Sequence, residues 1–160
     1  MNADGHCLFS AVADQLALLG IIPLEQANYA FTRATAADYI HSHPNDFLPF
    51  LPADSGLSDG FMTRQQFDDY CIAMRSTGVW GGEPEIEALT RVYNIPIYVV
   101  QGGTPSIVKH GPDNDPTRPV VWISYHRRMY GLGEVGNKVC EPFFYSLCPQ
   151  HYNSLRPAKP

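Results

Sequence analysis

Asp4-Gly5-His6-Cys7-Leu8-Phe9-Ser10 places a cysteine on a glycine-containing turn, directly ahead of an apolar-periodic run. Leu8, Val12, Leu16 and Leu19 recur at helical spacing, with Ala11 on the same stripe. This predicts a helix from Cys7 to Leu19 that stops at Gly20. A thiol at a helix N-terminus feels the positive end of the helix dipole. That favours thiolate over thiol and can bring a cysteine pKa from about 8.5 down to roughly 3.5–7.5. The first-turn N–H groups of a helix have no intrahelical acceptor and can donate to a developing oxyanion. One short stretch can thus supply a nucleophile and part of an oxyanion hole. An unpaired cysteine is also commonly a core residue, and Cys7 taken alone fits either description.

The far end of the chain favours the chemical reading. His151-Tyr152-Asn153-Ser154-Leu155 is a short β-type run with a histidine and, two residues on, an amide. Residues i and i+2 of a strand share a face, so the Asn153 side chain can orient the His151 imidazole. Cys7, His151 and Asn153 then form the nucleophile, base and orienter of a thiol protease, distant in sequence and adjacent in the fold. His126 is the rival base. Its neighbours Arg127 and Arg128 disfavour an imidazolium, and no Asn or Asp stands at i+2.

The bulk numbers narrow the class. The 160 residues, 44% hydrophobic and 17% charged, suit one globular domain with a sizeable core. No run of 18 apolar residues occurs, which argues against a membrane span. Met1-Asn2-Ala3-Asp4 lacks the basic and apolar regions of a signal peptide, so a reducing, cytoplasmic setting is expected, with a nuclear pool open. Cys7, Cys71, Cys140 and Cys148 are then not a disulfide framework, and without a CxxC pair they predict no zinc site and no other metal. A net charge of −5 without a basic run argues against nucleic acid and favours a basic partner.

Taken in order, the chain predicts helices first. A second helix is expected from Leu24 to His43, with Ala27, Phe31, Ala34 and Tyr39 or Ile40 facing inward and His41 and His43 on the surface. Residues 45–60 are rich in proline, glycine and aspartate and read as a loop, either facing substrate or covering the core. Thr63 and Gln66 fit a capping box that opens a helix with Phe67, Tyr70, Cys71 and Met74 as its apolar stripe. Val79-Trp80-Gly81-Gly82-Glu83-Pro84 follows. Its paired glycines allow close approach by backbone or ligand. Trp80 beside them either walls a groove for an extended peptide or sits in the core at a tight turn. Pro84 opens a helix with Ile86, Leu89 and Val92 or Tyr93 inward, ending at Asn94. Strands are expected over residues 95–101, 106–109 and 120–125. The class is α+β, helices on a small, mostly antiparallel sheet, with the thiol on a helix and the histidine on the sheet.

Together these motifs resemble the OTU (ovarian tumour) family of cysteine deubiquitinases, which has a papain-like fold. Asp4-Gly5-His6-Cys7-Leu8-Phe9 matches its nucleophile motif and Trp80-Gly81-Gly82-Glu83-Pro84-Glu85-Ile86 its central motif. Ile123-Ser124-Tyr125-His126 and His151-Tyr152-Asn153-Ser154-Leu155 match its closing strands. The eukaryotic subgroup with Asn after the catalytic His is the nearest likeness. The resemblance implies hydrolysis of the bond after the C-terminal glycine of ubiquitin or polyubiquitin by a monomer that needs no cofactor. Cys7 would attack, His151 act as base and acid, and Asn153 orient it. Asp4 would shape an oxyanion loop at Gly5, His6 and Cys7. Trp80, Gly81 and Gly82 would line the channel for the ubiquitin tail, whose basic charge suits an acidic enzyme. Alternatives are a ubiquitin-binding domain of the same fold that does not cleave, and a thiol hydrolase for a ubiquitin-like modifier.

Two departures stand out. Met1 lies three residues before Asp4, where the subgroup carries a longer N-terminal segment, which reads as a trimmed or truncated chain. Residues 135–150 separate Tyr130-Gly131-Leu132-Gly133-Glu134 from His151, although the subgroup runs directly between the two. Sixteen codons make 48 nucleotides, a multiple of three. Val135 codons begin GT, and Gln150 can be encoded CAG. Residues 135–150 are expected to be a retained intron translated in frame, the alternative being a genuine insertion that touches substrate.

Overall fold

A computed structural model describes residues 5–51, 62–112, 115, 117–126 and 151–156. Asp4, residues 135–150 with Cys140 and Cys148, Arg127, Arg128 and most of the 45–60 loop lie outside the described residues. Among the described residues five α-helices run in order: α1 (Cys7–Leu18), α2 (Tyr29–Ser42), the short α3 (Pro44–Phe47), α4 (Arg64–Ser76) and α5 (Glu83–Tyr93). Four strands follow: β1 (Ile97–Gln101), β2 (Ile107–His110), β3 (Val121–His126) and β4 (His151–Ser154). Sheet order is β2-β1-β3-β4. β1 pairs antiparallel with β2 and parallel with β3, and β3 pairs antiparallel with β4. The sheet is therefore mixed, with antiparallel pairs in the majority, and the class is α+β as expected.

α1 is the central helix. Leu8, Phe9, Ala11, Val12 and Leu16 are fully buried, while Leu19 lies just past the helix end and is exposed. α4 begins at the Thr63 capping box: the Thr63 hydroxyl accepts the Gln66 N–H and Gln66 Oε1 accepts the Thr63 N–H. Phe67, Cys71 and Met74 are buried as expected. α5 has Pro84 in its first turn and closes on left-handed Asn94 (φ 51°). Ile86 and Leu89 face the core, whereas Val92 is exposed and Tyr93 half-buried.

The second helix departs from expectation. Leu24–Gln26 forms a separate 3₁₀ turn, and α2 starts afresh where the Asn28 side chain accepts the Phe31 N–H at 2.9 Å. A competing N-cap resets the start. Its buried face is Thr32, Arg33, Ala36, Ala37 and Ile40. Phe31 and Tyr39 pack only partly, and Ala34 is half-buried. The face turns because the Thr32 hydroxyl finds the Phe9 carbonyl (2.9 Å) and the Arg33 guanidinium finds three carbonyls. A buried polar group with its bonds made is tolerated in a core.

Candidate active site

Cys7 stands at the first position of α1 and is 1% exposed. Gly5, ahead of it, has φ +79°, and a Cβ there would lie 1.9 Å from the Gly78 carbonyl oxygen. Only glycine fits this approach of two backbones. Gly81 packs on the start of α1, less tightly: a Cβ would meet Phe9 Cζ at 2.8 Å and Leu8 Cδ2 at 2.9 Å. Gly82 faces open space, and its N–H donates to Glu85 Oε2 at 2.7 Å. Trp80 is 39% exposed beside them, not a core residue. The cysteine turn and the Trp80 stretch thus pack directly together. His6 caps α1 and stacks on Tyr29, with ring centroids 4.1 Å apart.

β4 lies beside α1. The Tyr152 N–H donates to Cys7 Sγ at 3.5 Å. His151 and Asn153 share a face, and His151 Nε2–H donates to Asn153 Oδ1 at 3.0 Å. With the proton on Nε2, a neutral imidazole carries its lone pair on Nδ1. That atom is buried and hydrogen-bonded to no other group among the described residues. Burial, then neighbouring Tyr125, Glu83 and Cys7, pushes the Tyr152 phenol up, so it stays neutral. His126 is directly opposite His151 in the β3–β4 pairing, and its Nε2 lies 3.1 Å from Ser124 Oγ.

Behind this constellation is a buried polar cluster that the sequence reading missed. Arg33 (2% exposed) donates to the carbonyls of Gly5 (2.6 Å), Met74 (2.8 Å) and Val79 (2.9 Å) and lies over the Phe9 ring. Glu85 (1% exposed) accepts the Gly82 N–H and the Tyr70 hydroxyl. Burial is the main cause that raises the Glu85 carboxyl above its usual range. Apart from this cluster, Gln15, 5% exposed, was also not singled out by the sequence and joins α1 to β3 and β4. Each carries one legible signal: Arg33 and Gln15 fall at the phase of apolar stripes, and Glu85 sits three residues past Gly82 at a helix start. Among the described residues no cluster of His, Cys, Asp and Glu suits a metal ion.

Residues 2–134 match the sequence profile of the OTU-like cysteine proteases. The chain belongs to the OTU family. It is 36% identical over 141 residues to deubiquitinase OTUD6B of Gallus gallus, which covers 86% of this chain and 42% of the relative. To OTU domain-containing protein 2 of Saccharomyces cerevisiae it is 32% identical over 157 residues, 97% of this chain and 43% of that one. This OTU chain therefore spans less than half the length of the curated relatives it matches. Among solved structures, the OTUD1 OTU domain is similar at 27% identity and TM-score 0.56, covering 76% of this chain and 73% of that one. An OTU domain solved in complex with ubiquitin shares the fold at TM-score 0.52 and 21% identity, over 78% of this chain and 60% of that one.

Proposed function

We propose that this OTU chain is a thiol-dependent deubiquitinase acting as a monomer in the cytoplasm on ubiquitin or polyubiquitin conjugates. The observation that carries the reading is the contact of Cys7 Sγ with the Tyr152 N–H, one residue from a histidine oriented by Asn153. The names of the relatives, deubiquitinases among them, support the same activity and substrate.

The reaction follows from the groups in place. His151 Nδ1 takes the proton of the Cys7 thiol. An N–H donor and the positive end of α1 both favour charge on sulfur. The sulfur attacks the carbonyl carbon of the last ubiquitin glycine. The tetrahedral oxyanion is held by backbone N–H groups of the turn at Gly5, His6 and Cys7, shaped by Asp4. Collapse breaks the C–N bond, and the imidazolium returns its proton to the leaving amine, which leaves a thioester. Water, deprotonated by His151, then attacks the thioester, releasing the ubiquitin carboxylate and the Cys7 thiol. Throughout, Asn153 holds Nε2–H and keeps the ring turned. Trp80, Gly81 and Gly82 line the channel for the tail, whose glycines fit where larger side chains would not.

Residues 135–150 are an addition to the family plan, read as a translated intron. The profile match ends at residue 134, and β4 begins at His151, directly after the segment. The length of the connection costs only about 1–2 kcal/mol in closure entropy.

Covalent capture by ubiquitin carrying a C-terminal electrophile tests the activity. The whole chain, Cys7→Ala and a chain without residues 135–150 are compared. Labelling that disappears only in Cys7→Ala supports the reading. Labelling only after the deletion makes the added residues inhibitory. No labelling of either folded chain overturns deubiquitination and points to binding without cleavage or to another modifier.

A further inference from the structure

α1 grips β4 at two places. At its start, Cys7 Sγ accepts the Tyr152 N–H at 3.5 Å. Two turns on, Gln15 Nε2 donates to the Leu155 carbonyl at 2.7 Å and to Ser154 Oγ at 2.8 Å. Gln15 Oε1 accepts the Trp122 N–H at 3.2 Å. The Ser154 hydroxyl donates to Asp14 Oδ2 at 2.5 Å, and Asp14 Oδ1 accepts from Arg156 at 2.5 Å. One carboxamide with both its donors and its acceptor in use thus ties one helix to two strands.

The spacing of the two grips is the informative part. From Cys7 to Gln15 a helix rises about 12 Å. From Tyr152 to Leu155 a strand advances about 10 Å. Two contacts at matched spacing prevent β4 from sliding along α1. A slip of one residue would turn His151 and Asn153 to the opposite face of the sheet.

Among the described residues, the β3–β4 ladder and these α1 contacts fix this register. A two-residue turn dictates the pairing of its strands. Here His126 and His151 close the loop end of the β3–β4 pair, and twenty-four residues connect them. Gln15 acts at the other end, where the Leu155 N–H also donates to the Trp122 carbonyl at 3.1 Å.

We propose that Gln15 is a positioning residue: it sets the register of β4 against α1 and so holds His151 over Cys7. The inference rests on the catalytic pairing of Cys7 and His151 proposed above. Gln15 touches no reacting atom and acts through β4.

The test follows the rate of iodoacetamide alkylation at Cys7 against pH, located by peptide mass spectrometry. The same chains are assayed for kcat and KM on ubiquitin bearing a C-terminal fluorophore. Wild type, His151→Ala and Gln15→Met are compared, each with its unfolding curve. The expected result is a Gln15→Met alkylation profile moved toward that of His151→Ala, with kcat lower by about 10- to 100-fold and KM within about threefold. A folded Gln15→Met with the wild-type profile and kcat overturns the proposal, as does a loss confined to KM. If His151→Ala leaves the profile unchanged, the catalytic pairing itself fails and the role of Gln15 fails with it. If His151→Ala moves the profile and Gln15→Met does not, only the positioning role falls. Should Gln15→Met fail to fold, Ser154→Ala removes one of the two donor targets of the carboxamide. A smaller shift in the same direction then supports the proposal, and none overturns it.

Discussion

The Arg33 guanidinium, 98% shielded from solvent, donates to the Gly5 carbonyl at 2.6 Å, two residues ahead of Cys7. The same cation takes Met74 in the last turn of α4 and Val79 ahead of Trp80. A helix C-terminus and two turn carbonyls are good partners for a buried cation, because their oxygens carry partial negative charge. One charge thus joins the turn that carries the thiol to the stretch beside it.

Arg33→Met is therefore expected to cost about 3–5 kcal/mol, since it leaves three carbonyls short of a donor and Glu85 without its nearest cation. Arg33→Lys keeps the charge but not the planar fork and should lose part of that. Urea denaturation measures both. A loss below about 1 kcal/mol in Arg33→Met would mean that water or repacking satisfies the carbonyls.

Glu85 predicts a pH dependence. Burial first raises its carboxyl above the ordinary 4.5, while the Gly82 N–H, the Tyr70 hydroxyl and Arg33 pull it down and only partly offset the rise. A folded-state value above the unfolded one means that the folded chain holds this proton more tightly. Its contribution to stability is full below about pH 4.5 and is lost as pH rises through the folded-state value. The stability of wild type minus that of Glu85→Gln should slope downward over that window. A flat difference would show that Glu85 titrates alike in both states.

Gly81 and Gly82 should separate cleanly. Gly81→Ala forces a methyl against Phe9 and Leu8 and should cost about 1–3 kcal/mol, with a larger loss of activity because it pushes on the first turn of α1. Gly82→Ala meets nothing within 4 Å and should cost under about 1 kcal/mol. Thermal melts of the two variants check this, and equal losses of stability would contradict the packing described.

Cys71 should be inert. Burial, then Asp68 and Glu85, pushes its thiol up to about 11, so it stays protonated near neutral pH. Mild alkylation at about pH 8 should leave Cys71 unmodified by peptide mapping, and Cys71→Ala should keep full capture by the ubiquitin electrophile. Rapid modification of Cys71 in the folded chain would contradict this.

Much of the arrangement was readable from local chemistry. The Thr63–Gln66 box, Pro84, Asn94 and the apolar stripe of α1 each act over a few residues, so their elements stand where periodicity and capping place them. The i, i+2 spacing of His151 and Asn153 is of the same kind. α2 starts later than the apolar spacing predicts, because Asn28 caps it, and its inward face keeps Ile40 but turns toward Arg33, which finds acceptors on three other segments. Nothing near Arg33 in sequence announces Gly5, Met74 and Val79. Gln15 was overlooked for the same reason: its partners Trp122, Ser154 and Leu155 lie more than a hundred residues away. The parallel pairing of β1 with β3 is likewise a property of the assembled layers.

The α1–β4 seam joins residues 139 and 140 apart in the chain. On a ribosome α1 therefore emerges well before its partner strand, whose bonded residues are made 139 and 140 positions later. A nascent or prematurely terminated chain that lacks β4 therefore carries Cys7 without the Tyr152 N–H and Gln15 without Ser154 and Leu155. On the pairing of Cys7 with His151 proposed above, a partial product released before β4 is made would not cleave ubiquitin conjugates.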